Sequence, residues 1–232
     1  MFRRIQFPAL LAMLLFTTAA VADNQPKTEQ EKFSYTVGVQ TAENMLQHGI
    51  EVDPAMYLQG VQDALDKKTF KLSPDEMKQV LVNYQQQQMK KIQEQAAANK
   101  AAGEKFLADN KTKPGVKTTA SGLQYKVIKQ GTGKKPTLDD EVVVNYEGSL
   151  LDGKVFDSSY KRGKPLSIKL DGVIKGWQEA LPMMTVGSKW KVYVPADLAY
   201  GERGAGGGVI GPNSTLVFDI ELMSIKADED QK

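Results

Sequence analysis

Between residues 144 and 160 the chain reads VNYEGSLLDGKVFDSSY, a stretch that sets Tyr146, Phe156 and Tyr160 among Glu147, Asp152 and Asp157 and the hydroxyls of Ser149, Ser158 and Ser159. It offers rings, carboxylates and hydrogen-bonding groups, but neither histidine nor cysteine. The rest of the chain adds little to that menu: it holds a single histidine, His48, and no cysteine. A cysteine nucleophile and a zinc site built on histidine or cysteine are therefore excluded. A serine-histidine-acid triad would have to use His48, which lies in LQHGIEVDP, a helix-ending context where a solvated histidine before a glycine is the plainer reading. Carboxylate-only metal sites stay formally open, although scattered Asp and Glu read as solvated surface. GERGAGGGVIGPN, residues 201–213, is glycine-rich but lacks the Gly-Lys-Ser/Thr ending of a phosphate loop. Neither a metal nor a cofactor is expected.

The elements that must position these residues are extended. LQYKVI (123–128), VVVNYEGSL (142–150), LSIKL (166–170), WKVYVP (190–195) and TLVFDIELMSI (215–225) are β-branched or alternating runs bounded by Gly, Pro and Asp. One short helix, about residues 176–181, interrupts them. The pattern predicts an α+β domain over 123–226, an antiparallel sheet packed on that helix. KTKPGVKTTASG, residues 111–122, is rich in structure breakers, and 113–122 reads as a linker.

Upstream, the periodicity is helical. Thr28 followed by Glu31 is a capping-box pattern, Gly49 closes the first helix, and Asp53 with Pro54 opens a second. Two helices this short sit near the lower limit for independent folding, so residues 23–72 are expected to self-associate; packing on the C-terminal domain is the alternative. From Ser73 to about residue 112 the chain predicts one long helix, opened by Ser73, Pro74 and Glu76 and interrupted only by Gly103. At about 1.5 Å per residue it runs roughly 54 Å. Its thin apolar stripe fails between Tyr84 and Ile92, which favours a spacer partly in water over the competing coiled coil.

MFRRIQFPALLAMLLFTTAAVA, residues 1–22, has a basic start, an apolar run and a small-residue ending, which predicts an export signal cut after Ala22. Its apolar core is shorter than the ~20 residues of a membrane span, so no transmembrane span is expected after cleavage. Of 232 residues, 41% are hydrophobic and 25% charged, enough for one fair-sized core and a smaller unit, and residues 227–232 form a polar tail. Thirty basic against twenty-eight acidic side chains leave a formal charge of +2. No global field favours nucleic acid or an anionic membrane.

GLQYKVIKQGTG, VNYEGSLLDGKVFDSS, VIKGWQEAL, PADLAYGERG and TLVFDIELMSI occur in the order and approximate spacing of the FKBP-type peptidyl-prolyl cis-trans isomerases, and the resemblance covers residues 120–226. With KFSYTVGV and NKTKPGVKTTASGLQYKVI, the arrangement of helices before the domain resembles the macrophage infectivity potentiator (Mip) subfamily of Gram-negative bacteria. The resemblance implies an exported isomerase, in the periplasm or at the outer membrane or cell surface, which accelerates proline-limited folding. It implies a homodimer through residues 23–72 whose long helices hold two catalytic domains apart, roughly as a V. Partners implied are proline-containing peptides and unfolded polypeptides, with macrolide immunosuppressants as inhibitors; the subfamily name alone points to virulence. A chaperone or adhesion module whose isomerase activity is incidental is the alternative.

By the same resemblance Trp177 would floor a pocket walled by Tyr146, Phe156 and Phe218. Val173, Ile174 and Ile210 would line it, the backbone of Ile174 and the hydroxyl of Tyr200 would bond the peptide, and Asp157 would lie at the rim. Each has a plainer counterpart: Phe218 and Trp177 as core, Tyr146 as a cross-strand aromatic, Asp157 as a turn initiator. Two departures from the family pattern stand out. Leu166 occupies a position that is often aromatic, and Gly211 one that is commonly proline, beside four glycines between Gly204 and Gly208 that predict a mobile loop over the cleft.

Overall fold

The computed structural model describes residues 25–226, so the expected signal (1–22) and tail (227–232) lie outside the described residues. The chain divides into two compact units between Glu51 and Val52. The first holds helix α1, Glu29–Gln47. Its start follows from Thr28 and Glu31: the Thr28 hydroxyl accepts the Glu31 amide at 3.2 Å and the Glu31 carboxylate accepts the Thr28 amide at 2.9 Å. It ends at His48, whose ring bonds the Asn44 carbonyl at 2.8 Å, and Gly49 turns the chain at φ +64°. Phe33, Tyr35 and Leu46 of α1 are exposed.

The second unit opens with α2, Pro54–Leu65, capped by Asp53 on the Met56 amide at 2.9 Å, with Met56, Leu58 and Leu65 exposed. Helix α3, Pro74–Asn110, is a single run of 37 residues, and Ser73 with Glu76 closes its capping box. Its last turns belong to the β domain. A Cβ at Gly103 would overlap the Thr215 hydroxyl, Phe106 meets Tyr193 with ring centroids 5.7 Å apart, and fully buried Asn110 donates to Gln124 at 2.9 Å. Gln124 in turn donates to the Leu107 carbonyl at 2.8 Å, which also accepts the Lys111 amide at 3.1 Å, so the side chain adds a second bond at the helix end. A glycine costs about 1 kcal/mol against alanine in a helix interior, and here it admits close approach.

Seven strands follow: β1 (Val116–Thr118), β2 (Gln124–Lys129), β3 (Glu141–Ser149), β4 (Val155–Ser158), β5 (Leu166–Lys169), β6 (Lys189–Val194) and β7 (Leu216–Ile225). All pair antiparallel in the order β1-β2-β6-β7-β3-β4, with β5 added to β3. Alternation in β3 and β7 buries Val142, Val144 and Tyr146 with Phe218, Ile220 and Leu222, and the buried cluster also takes in Trp177, Ala180 and Leu181. Trp177 and Ala180 come from the short helix α4, Lys175–Ala180. This is the expected antiparallel sheet packed on one helix, plus two strands absent from the sequence reading. β1 lies inside the breaker-rich stretch 113–122, and β4 inside the ring-rich stretch; three and four residues carry too little alternation to announce a strand.

Candidate active site

A hollow of about 230 Å³ opens between β3, β4, β5 and β7 and the start of α4, lined by Tyr146, Phe156, Asp157, Leu166, Ile168, Gly172, Val173, Ile174, Trp177, Tyr200 and Phe218. Trp177 is only 4% exposed because α4 lays it on the sheet: a Cβ at Gly176 would overlap Val194, so the helix sits close. The indole meets Tyr146 edge-on (5.1 Å, 87°) and Phe218 likewise (5.4 Å, 79°), and Phe218 meets Phe156 the same way (5.7 Å, 86°). Edge-to-face chains of this kind fix ring orientation beyond what burial alone gives. Gly148 makes room for them, since a Cβ there would press on Phe156 at 2.7 Å and Phe218 at 2.8 Å.

The polar groups sit together at one side. Tyr146 donates its phenol to one oxygen of Asp157, Arg162 pairs with the other, and Arg162 also donates to the Tyr146 oxygen at 2.9 Å. Both Asp157 oxygens are thus engaged, and the side chains of Asp157 and Arg162 are 41% and 40% exposed. Burial, then the bond to Asp157, raises the Tyr146 phenol above the ordinary tyrosine value, against the opposing pull of Arg162. Burial raises Tyr200 as well, with the Asp157 charge adding to it. The hydrogen bonds that Arg162 donates to the Tyr146 oxygen and to Asp157 hold its guanidinium charged. Neither Tyr146 nor Arg162 is poised to exchange a proton near neutral pH.

Backbone clamps set the trio. Ser159 and Tyr146 hold each other: the Ser159 amide donates to the Tyr146 carbonyl and the Tyr146 amide to the Ser159 hydroxyl, both at 2.9 Å. Across the hollow, Gln178 on α4 donates to the Asp171 and Val173 carbonyls at 3.0 Å, steadying the segment that presents Val173 and Ile174. The Ile174 carbonyl accepts the Trp177 amide at 2.9 Å and so belongs to the helix, not to the opening.

Of the residues singled out from sequence, Tyr146, Phe156, Asp157, Leu166, Val173, Ile174, Trp177, Tyr200 and Phe218 come together here. Ile210 is not among the lining side chains; it is buried in the core cluster with its backbone paired to Ala205. Leu166 fills its edge position from β5, joined by Ile168 two residues on along the same strand face. Sequence reasoning missed Ile168, Gly172, Arg162, Ser159 and Gly148. An isolated glycine inside the alternating VVVNYEGSL run is the one signal that could have marked Gly148 as a close approach.

Residues 132–223 match the family described as FKBP-type peptidyl-prolyl cis-trans isomerase, and residues 30–127 match the domain amino terminal to it. The chain is 49% identical over 228 residues to the peptidyl-prolyl cis-trans isomerase Mip of Coxiella burnetii, covering 97% of this chain and 99% of that one. It is 44% identical over 223 residues to the outer membrane protein MIP of Legionella longbeachae, covering 94% and 95%. The crystal structure of FkpA from Escherichia coli aligns with a TM-score of 0.62 at 42% identity, over 87% of this chain and 99% of that chain. A peptidyl-prolyl cis-trans isomerase from Pseudomonas syringae aligns with a TM-score of 0.53 at 43% identity, over 57% and 96%.

Proposed function

The chain belongs to the FKBP-type peptidyl-prolyl cis-trans isomerases and is such an enzyme, and from that premise we propose that the hollow over Trp177 is where it turns a prolyl bond. Rotation about an X-Pro amide breaks no σ bond, yet faces a barrier of about 18 to 20 kcal/mol because resonance must be lost. The twisted amide carries less charge on its oxygen than the planar one. A water-poor, ring-walled site therefore favours the twisted form over the ground state. Trp177 floors the prolyl ring, and Tyr146, Phe156 and Phe218 wall it. Val173 and Leu166 shape the surrounding apolar edge, the Ile174 amide and the Tyr200 hydroxyl orient the peptide, and Asp157 faces the reacting carbonyl from the rim. Positioning and desolvation do the work, with no proton transfer.

The observation that supports this best is the segregation of rings from charge: three edge-to-face aromatic contacts around the indole, with Asp157 and Arg162 confined to the partly exposed side. The test is turnover of a prolyl tetrapeptide. Phe156→Ala and Asp157→Ala each lower kcat/KM by about tenfold or more; wild-type turnover in Phe156→Ala would overturn the assignment of the site.

The cellular role follows as part of the same proposal. Uncatalysed prolyl isomerisation takes tens of seconds and limits folding, so an exported isomerase would speed chains folding outside the cytoplasm, with unfolded polypeptides as clients. Export rests on the signal-like residues 1–22 and on likeness to a protein named as an outer membrane protein. Among the described residues no helix is long and apolar enough to cross a membrane. Homodimer formation through residues 23–72 is supported by the apolar side chains that α1 and α2 leave in water, Phe33, Tyr35 and Leu46 on one and Met56, Leu58 and Leu65 on the other. Macrolides of the rapamycin type would compete for the hollow. Those same exposed side chains favour a second activity, holding unfolded chains without turnover; Asp157→Ala that loses isomerisation yet still suppresses aggregation separates the two.

A further inference from the structure

The loop that runs from Tyr200 back into β7 is anchored at both ends, and one anchor is not in the sheet. On the α3 side, Asn99 donates to the Pro212 carbonyl at 2.8 Å and reaches the Ser214 hydroxyl at 3.4 Å, while Ser214 donates to the Gly211 carbonyl at 2.8 Å. The backbone of Gly211 lies against α3 itself, since a Cβ there would meet Gln95 Nε2 at 2.9 Å and Asn99 Nδ2 at 3.0 Å. From this root two ties lead to the residue lining the hollow. The Asn213 amide, at a residue held at φ +55°, donates to the Gly201 carbonyl at 2.8 Å, one residue after Tyr200. Gly204 packs so tightly on Ile210 and Gly211 that a Cβ would overlap the Ile210 carbonyl, and Ala205 and Ile210 exchange two backbone bonds at 2.9 and 3.1 Å.

Tyr200 itself is 41% exposed and contributes no regular strand to the sheet, so the sheet alone does not fix its ring. Between the ties, Gly206, Gly207 and Gly208 all sit at positive φ and give the loop's tip little stiffness of its own. Position must come from the roots. On the proposal that the hollow binds the prolyl peptide, we infer that Asn99 of α3 is a positioning residue for that site: it fixes the Gly211–Asn213 root and, through Gly201, the Tyr200 hydroxyl. Helix α3 is then part of the catalytic domain's specificity apparatus, and a force that shifts its docked end alters substrate grip.

The test uses the full mature chain. Asn99→Ala removes the bond to Pro212 at a half-buried site; the expected result is a rise in KM for a prolyl tetrapeptide of about three- to tenfold with a smaller change in kcat. Amide hydrogen exchange of residues 201–213 quickens, while that of β3 and β7 is unchanged. Lys105→Ala, on the exposed side of the same helix, leaves all of these as in the wild type. If the alanine variant does not fold, Asn99→Asp, similar in size but presenting an oxygen to the Pro212 carbonyl, is read the same way. Wild-type KM together with wild-type exchange in the loop overturns the inference. So does equally faster exchange in sheet and loop, the mark of a merely stabilising contact. Failure of the active-site assignment has a different signature, wild-type turnover in Phe156→Ala.

Discussion

Asp157 is the residue most easily mistaken for a general base, and its contacts argue otherwise. One oxygen accepts the Tyr146 phenol and the other pairs with Arg162, so the carboxylate is committed as an acceptor before substrate arrives. Both phenols at the site, Tyr146 and Tyr200, titrate above the ordinary tyrosine value of 10.0, chiefly through burial. Activity on a prolyl tetrapeptide is therefore flat between about pH 6 and 9, with no bell; a bell-shaped kcat/KM profile in that range would point to a proton-transfer step instead. For stability the sign is that of a group binding its proton more tightly when folded. The contribution of these phenols is complete below the unfolded value near 10 and is lost as pH rises through the raised folded values. The ring residues were legible in sequence, though only jointly, because each alone reads as ordinary core. Arg162 and Ser159 were not, since their roles arise when β4 and the following turn fold back on β3, a pairing that no local spacing encodes.

Among the elements, α3 was the most legible: Ser73, Pro74 and Glu76 mark its start, and nothing but Gly103 breaks its run before Asn110. The reason for that glycine was not legible, because it lies in Thr215, over a hundred positions away. The seat of the helix end is polar and buried, with Gln124 bridging Asn110 and the Leu107 carbonyl. Gln124→Ala leaves both without that partner, and the expected cost is about 2 to 4 kcal/mol in the urea unfolding of the β domain. A change below about 0.5 kcal/mol would mean that water replaces the glutamine freely. Strands β1 and β4 stayed hidden for a different reason, their brevity, and both are recruited by longer partners, β2 and β3, rather than by their own pattern.

For the whole molecule, the proposed pairing through residues 23–72 yields a division of labour. Removing that segment leaves tetrapeptide kcat/KM within about twofold of wild type but weakens acceleration of refolding of a proline-limited protein, because two tethered clefts raise each other's effective concentration on a long chain. Sedimentation should show the intact chain at twice the monomer mass and the shortened one at its own. Equal loss in both assays would place the segment in the chemistry. The tight seating of the last turns of α3 on the sheet has one more consequence, for how such chains can diverge. Since the docked end fixes the phase of the whole rod, inserting one residue in its upstream half would swing the hollow through about 100° about the rod's axis and advance it by about 1.5 Å, whereas seven would return it nearly to its starting azimuth two turns farther out. The upstream half of this rod is thus an angular dial that gene-level insertions and deletions can turn without touching a single catalytic side chain.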